Sequence, residues 1–148
     1  MSDPFSESET ERYFHEQIPM ARAMGVRVAA AGGRELVLTA PLAENHNHLG
    51  TAFGGSLAAV ATLAGYGMLW LCLDDRNCHI VIRSSTTRFR HPVSGEIRAR
   101  CEAPDDTALT DFRSRLREKG RASIRLEVVI EENGRTCVEF EADYVAIV

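Results

Sequence analysis

The stretch that decides the fold runs from residue 50 to residue 73, GTAFGGSLAAVATLAGYGMLWLCL. It carries no charged side chain, and as a helix it is long enough to cross a bilayer. Its content points to another use. Gly54, Gly55, Ser56, Thr62, Gly65 and Gly67 lower its hydrophobicity, and no Lys or Arg flanks it closely on the N-terminal side. The segments that follow read as soluble strands. A helix that is apolar all round can instead be the buried centre of a globular fold. The expectation is therefore a buried helix from about Phe53 to Leu73, and no membrane partner.

Upstream, Leu42 to Thr51 is a polar loop with AENHNHLG at its centre. Val26 to Ala31 and Glu35 to Pro41 read as strands joined by Gly32-Gly33-Arg34, a hairpin signal. Residues 8 to 24 read as two short helical pieces, with Tyr13, Phe14, Ile18 and Met20 as apolar contacts. Pro19 suits a first helical turn and Gly25 a C-terminal cap. The start, MSDPFSESETER, is acidic and polar, without the basic and apolar regions of a secretory signal. Residues 1–10 are expected to be flexible.

Downstream, His79 to Phe89 reads as a strand, and Pro92 to Gly95 as a turn. Glu96 to Glu102 alternates, with Ile97, Ala99 and Cys101 on one face and charges on the other. Residues 107 to 119 place Leu109, Phe112 and Leu116 at helical spacing. Asp105 and Asp106 precede this helix and Arg113, Arg115, Arg117 and Lys119 crowd its end, matching the helix dipole. A long hairpin closes the chain. Ile124, Leu126, Val128 and Ile130 lead into an Asn133-Gly134 turn, and Val138, Phe140, Ala142, Tyr144 and Ala146 return. Strands in antiparallel runs around a segregated helix give an α+β layer: one antiparallel sheet wrapped around one long helix, with residues 1–148 as a single domain. Such a sheet has edges, and pairing them solves the edge problem. A homodimer is expected, or a tetramer of two pairs.

Composition narrows the function. The 148 residues carry a net charge of −4, so no general basic field is available to hold nucleic acid. None of the four cysteines forms a CxxC pair, and Cys101 and Cys137 lie in apolar strand-like segments. They read as buried free thiols in a reducing compartment, the cytoplasm. His46 and His48 form an HxH pair, but third and fourth ligands are not evident, so no metal and no cofactor is expected.

The order of elements is similar to the hotdog fold. The run NHLGTAFGGSL, Asn47 to Leu57, resembles the loop-to-helix motif of hotdog thioesterases. More narrowly, IPMARAMGVRV (18–28), TAFGGSLAAVATLAGYG (51–67), RASIRLEVVI (121–130) and ADYVA (142–146) look like the thioesterase-type domain at the C-terminus of some bacterial GNAT acetyltransferases. The likeness covers nearly everything from about Tyr13. No acetyltransferase sequence accompanies it here, which makes a stand-alone version the expectation.

The resemblance implies hydrolysis of an acyl-CoA or acyl-carrier-protein thioester at the N-terminus of the central helix. Its physical basis is plain. The unpaired N–H groups and positive dipole end of a helix N-terminus suit a developing oxyanion. Gly54 and Gly55 would let the thioester reach the backbone beside Phe53, though close helix–sheet packing also calls for glycine. Asn47 matches the asparagine that binds the carbonyl or the attacking water in related proteins; a loop or capping role is the other reading. Where phenylacetyl-CoA-type relatives often carry His before the two glycines, this chain has Phe53. Where they carry an acidic base or nucleophile nine positions on, it has Thr62. A threonine can position water, or act as a nucleophile beside a base, and in the family this position works against the partner subunit's glycines. It can also simply bond its own helix backbone. His48 is the candidate base, or a solvated loop histidine. Arg88 and Arg90, with His91, lie where hotdog proteins often meet the nucleotide of CoA. Arg113, Arg117 and Arg121 form a second basic group. The departures at Phe53 and Thr62 leave a non-catalytic acyl-thioester binding module as the alternative. A hotdog dehydratase would want a His and an acidic residue at the helix, and neither is near Phe53.

Overall fold

The computed structural model describes residues 6–32, 34–73 and 77–148. Two short helices, α1 (Glu7–Gln17) and α2 (Pro19–Ala23), precede strands β1 (Arg27–Ala30) and β2 (Glu35–Ala40). Gly33 of the expected hairpin turn and residues 1–5 lie outside the described residues; α1 begins within the stretch expected to be flexible. The long helix α3 (Gly54–Cys72) follows, then β3 (His79–Phe89), β4 (Ile97–Glu102), α4 (Asp106–Lys119), β5 (Arg121–Glu132) and β6 (Arg135–Ile147). The strands form one antiparallel six-stranded sheet in the order β1-β2-β4-β5-β6-β3.

The sheet wraps α3, as a hotdog fold does. Leu57, Val60, Ala61, Ala64, Met68 and Leu69 of α3 are buried together with the inward faces of β2, β4, β5 and β6. Two glycines let the helix settle this deeply. A Cβ on Gly65 would lie 2.3 Å from the Tyr144 hydroxyl, and one on Gly67 would lie 2.5 Å from Phe14 and 2.7 Å from Leu36. Phe14 and Leu36 are wholly buried and cannot swing aside into solvent. Gly67→Ala is therefore expected to lower the unfolding free energy by about 1–3 kcal/mol, the usual cost of overpacking a filled core. A denaturant midpoint unchanged from the parent would show that the core gives way more easily than these contacts imply.

The two edges of the sheet are treated differently. Helix α1 packs on α3, with Tyr13 stacked on Trp70 at 4.2 Å between ring centroids. Its next face serves β1. The Val28 N–H donates to Glu11 Oε1 (2.9 Å), and one helical turn on, His15 Nε2 donates to the Val26 carbonyl (2.6 Å). Side chains thus occupy backbone groups that a β-edge would otherwise offer to another strand. At the other edge, β3 pairs among the described residues only with β6, and its side chains are exposed almost throughout. Val81, Ile82 and Phe89 are 50%, 41% and 56% exposed.

Helix α4 is capped at its start by the Asp105 carboxylate, which accepts from Ala108 N–H, and at its end by Gly120 at φ 70°. It supplies a cap to α3 as well, since Arg113 Nη2 donates to the Cys72 carbonyl (2.8 Å) at the negative end of that helix. All four cysteines are free thiols. Burial pushes the Cys101 thiol up to about 12, so it remains protonated and unreactive near neutral pH.

Candidate active site

The loop leading into α3 is built on two asparagines with different duties. Asn45 is buried, and its amide donates to the carbonyls of Met24 and Pro41 (2.8 Å each). Its own carbonyl accepts from Phe53 N–H (2.7 Å), so Asn45 ties the end of α2, the end of β2 and the entry to α3 together. Asn47, the residue singled out by its motif position, is half-buried. Its Oδ1 accepts from the N–H groups of Leu49 (2.8 Å) and Thr51 (3.2 Å), and its Nδ2 donates to the Thr51 hydroxyl (2.8 Å). These are the bonds of an Asx-type turn. The loop reading of Asn47 therefore has direct geometric support. Gly50, at φ 79°, completes the reversal.

This loop delivers Phe53 as the N-cap of α3, in extended conformation and with no side-chain cap. The first helical bond runs from Leu57 N–H to the Phe53 carbonyl (3.0 Å). The N–H groups of Gly54, Gly55 and Ser56 thus stand at the positive end of a 19-residue helix with no acidic side chain in its first turn. The Phe53 ring lies over Gly55, where a Cβ would come within 2.4 Å of it. Gly54 faces Phe89, at an ordinary 3.7 Å for an added Cβ. The helix start is thus flanked by two exposed aromatic rings, one from its own cap and one from the end of the edge strand.

Thr62 sits seven residues beyond Gly55, roughly 10 Å along the axis. Its hydroxyl donates to the Ala58 carbonyl (2.7 Å), the bond of a helix threonine to its own backbone. An oxygen used as a donor keeps lone pairs that can accept. The residue is half-buried and lines an apolar cavity of about 330 Å³. His48 is exposed and makes no hydrogen bond among the described residues. Arg88 and Arg90 flank Phe89 and so lie at the strand end that meets Gly54. Arg90 forms a bidentate pair with Glu139 (3.2 and 3.3 Å), and Arg88 stands opposite the same glutamate in register. Of the second basic group, Arg113 is engaged at the end of α3, and Arg117 donates to Ser114 (3.4 Å). Among the described residues there is no group of three or more His, Cys, Asp or Glu placed to hold a metal ion.

An antiparallel sheet wrapped around one long helix is the hotdog architecture. The family model described as "Putative thioesterase (yiiD_Cterm)" matches residues 7–148, and the chain belongs to that family. Among solved structures, the chain is similar to a protein of unknown function from Chlorobaculum tepidum, with 34% identity over 95% of this chain and 93% of the other and a TM-score of 0.89. It is similar to a putative thioesterase from Shewanella oneidensis at 29% identity, covering 96% and 97% of the two chains with a TM-score of 0.85. A probable thioesterase from Pseudomonas aeruginosa aligns at 27% identity over 97% of both chains, with a TM-score of 0.84.

Proposed function

We propose that this protein is a cytoplasmic, cofactor-independent hydrolase of acyl thioesters carried on CoA or on an acyl-carrier protein. The observation that carries the reading is the uncapped start of α3, where glycine backbone donors are open to a ligand between Phe53 and Phe89. The thioester carbonyl oxygen accepts from the N–H groups of Gly54 and Gly55, which stabilise it as negative charge develops. Water attacks the carbonyl carbon, the carbon–sulfur bond breaks, and the products are a carboxylic acid and a free thiol. His48 or bulk solvent takes the water's proton, and the leaving sulfur is protonated in turn. Arg88 meets the phosphates of the carrier. Asn47 holds the loop in place and bears on the water through its placement of the helix entry.

Thr62 orients the water through its free lone pairs. At roughly 10 Å along the helix it cannot reach a carbonyl held at Gly55 of its own chain. A second copy can bring it there. The open β3 edge favours pairing with another β3, and an antiparallel pair about a two-fold axis sets the helix start of one copy near Thr62 of the partner subunit. The protein is thus expected to be a homodimer, or a tetramer of such dimers, by light scattering at micromolar concentration. A strictly monomeric species would contradict the shared site.

One observation favours a second reading. Thr62 donates its hydroxyl to its own helix, and no carboxylate stands at that position, which suits a module that binds acyl thioesters without cleaving them. Thiol release from a panel of acyl-CoAs separates the two. Release at a rate above the uncatalysed one supports the hydrolase, and binding without release supports the module.

A further inference from the structure

We infer that Tyr144, on the last strand, is the positioning residue of Thr62: its hydroxyl fixes where α3 sits against the sheet, and so where the Thr62 oxygen holds water. This rests on the role proposed above for Thr62 and deepens it.

The helix needs a directional tie. α3 is apolar around most of its circumference and lies against the apolar inward faces of β2, β4, β5 and β6. Apolar burial is non-directional, so it draws the helix onto the sheet without setting its rotation finely. Gly65 and Gly67 make the same stretch of backbone more permissive. A roll of about 10° moves an atom about 5 Å from the helix axis by about 0.9 Å. A group that aligns a reactant must be held within about 0.5 Å, and a misplacement of about 1 Å can cost about 100-fold in rate. Small movements of α3 therefore decide whether the Thr62 hydroxyl meets the water.

The tie falls at the residue the chemistry needs. Among the described residues, two side chains from other elements donate to carbonyls of α3. Arg113 takes Cys72, the last residue of the helix, and Tyr144 takes Thr62 in its middle (2.7 Å). Thr62 is thereby held at two points. Its hydroxyl donates to the Ala58 carbonyl (2.7 Å), which sets the rotamer, and its carbonyl accepts from Tyr144, which sets the backbone beneath it. Neither bond uses the lone pairs of the threonine hydroxyl.

Both sides of the contact are shaped for it. Tyr144 is 1% exposed and stands in the sheet between Ile82 of β3 and Ile124 of β5, so the ring is anchored to the strands and does not follow the helix. On α3, Gly65 lies three residues beyond Thr62 on the same face and leaves the notch that admits the ring. A Cβ there would lie 2.3 Å from the Tyr144 hydroxyl and 2.7 Å from the ring carbon that bears it. Burial raises the Tyr144 hydroxyl above the ordinary phenol range, so it stays protonated and remains a donor near neutral pH.

The test is a double-mutant cycle. Tyr144→Phe keeps the ring and removes the donor, and the Thr62 carbonyl retains its place in the helix ladder, so the variant is expected to fold. On the parent's best acyl-CoA, kcat is expected to fall at least about tenfold with KM within about twofold. In Thr62→Val there is no hydroxyl to place, and adding Tyr144→Phe is expected to change kcat by less than about twofold. A merely structural tyrosine would cost the same in both backgrounds, because its effect would not pass through Thr62. Equal losses in the two backgrounds, a parent-like kcat in Tyr144→Phe, or a change confined to KM or to the unfolding midpoint overturns the inference and leaves the hydrolase intact. If the parent releases no thiol, the hydrolase reading fails, and crystal structures of the parent and Tyr144→Phe read the placement directly. A Thr62 oxygen displaced by at least about 0.5 Å against the sheet, or spread over two positions, sustains the inference. An oxygen that stays where the parent holds it overturns the inference as well.

Discussion

Gly55→Val is expected to abolish acyl-CoA binding and to reduce hydrolysis at least 100-fold while the protein remains folded. A valine side chain at this position occupies the space a thioester needs to reach the backbone donors, and loss of one oxyanion donor alone typically costs about 100- to 1,000-fold. The local packing does not forbid the change. The atoms an added Cβ would meet belong to the Phe53 ring, which is 56% exposed and free to rotate into solvent. Gly54→Ala is the matched control. Its Cβ would make an ordinary 3.7 Å contact with Phe89, so it adds bulk one residue away without strain. Circular dichroism establishes that both fold, and calorimetry with acyl-CoA measures affinity. Parent-like affinity in folded Gly55→Val would move the site away from the helix start.

Thr62→Val is expected to lower kcat by about 100-fold with little change in KM, because a hydroxyl that aligns water matters chiefly in the transition state. The substitution keeps the branched shape and removes the oxygen. Nothing structural is lost with it, since the Ala58 carbonyl that accepts the hydroxyl is a helix backbone group with its own place in the helix ladder. A loss in kcat with an unchanged unfolding midpoint would therefore report chemistry. Turnover at the parent rate would make Thr62 a core residue and leave the water to be oriented by another group.

Most of the framework was legible because it rests on local pattern. The uncharged run centred on GGSLAAVATLAGYG fixes α3 to within a residue at each end, Gly54–Cys72 against an expected Phe53–Leu73. The alternation around Ile97, Ala99 and Cys101 gives β4, and Asn133-Gly134, both at positive φ, makes the last hairpin turn. What escaped was set by contacts between distant residues. Asn45 and Asn47 are indistinguishable as letters in a polar loop, yet only the first is buried, because Met24 and Pro41 happen to present carbonyls to it. Arg113 looked free to meet phosphate until its partner, the end of a helix 41 residues earlier, was in view. Arg90 likewise finds Glu139 across the strand pair. The cavity beside Thr62 draws its walls from α2, α3, β3 and β6, and no single window of sequence contains it.

The two unlike edges of the sheet also bear on solubility. A molecule with two adhesive edges is bifunctional in the polymer chemist's sense, and its natural product is a fibre of indefinite length. Glu11 and His15 remove one of those functions by occupying backbone groups at the β1 edge. With β3 as the remaining edge, the proposed dimer would have a valence of one, and association through that edge would terminate at the first coupling. The same two side chains that look like incidental anchors for α1 therefore act as chain stoppers. Their loss would be expected to appear first as turbidity at high concentration, before any fall in thermal stability.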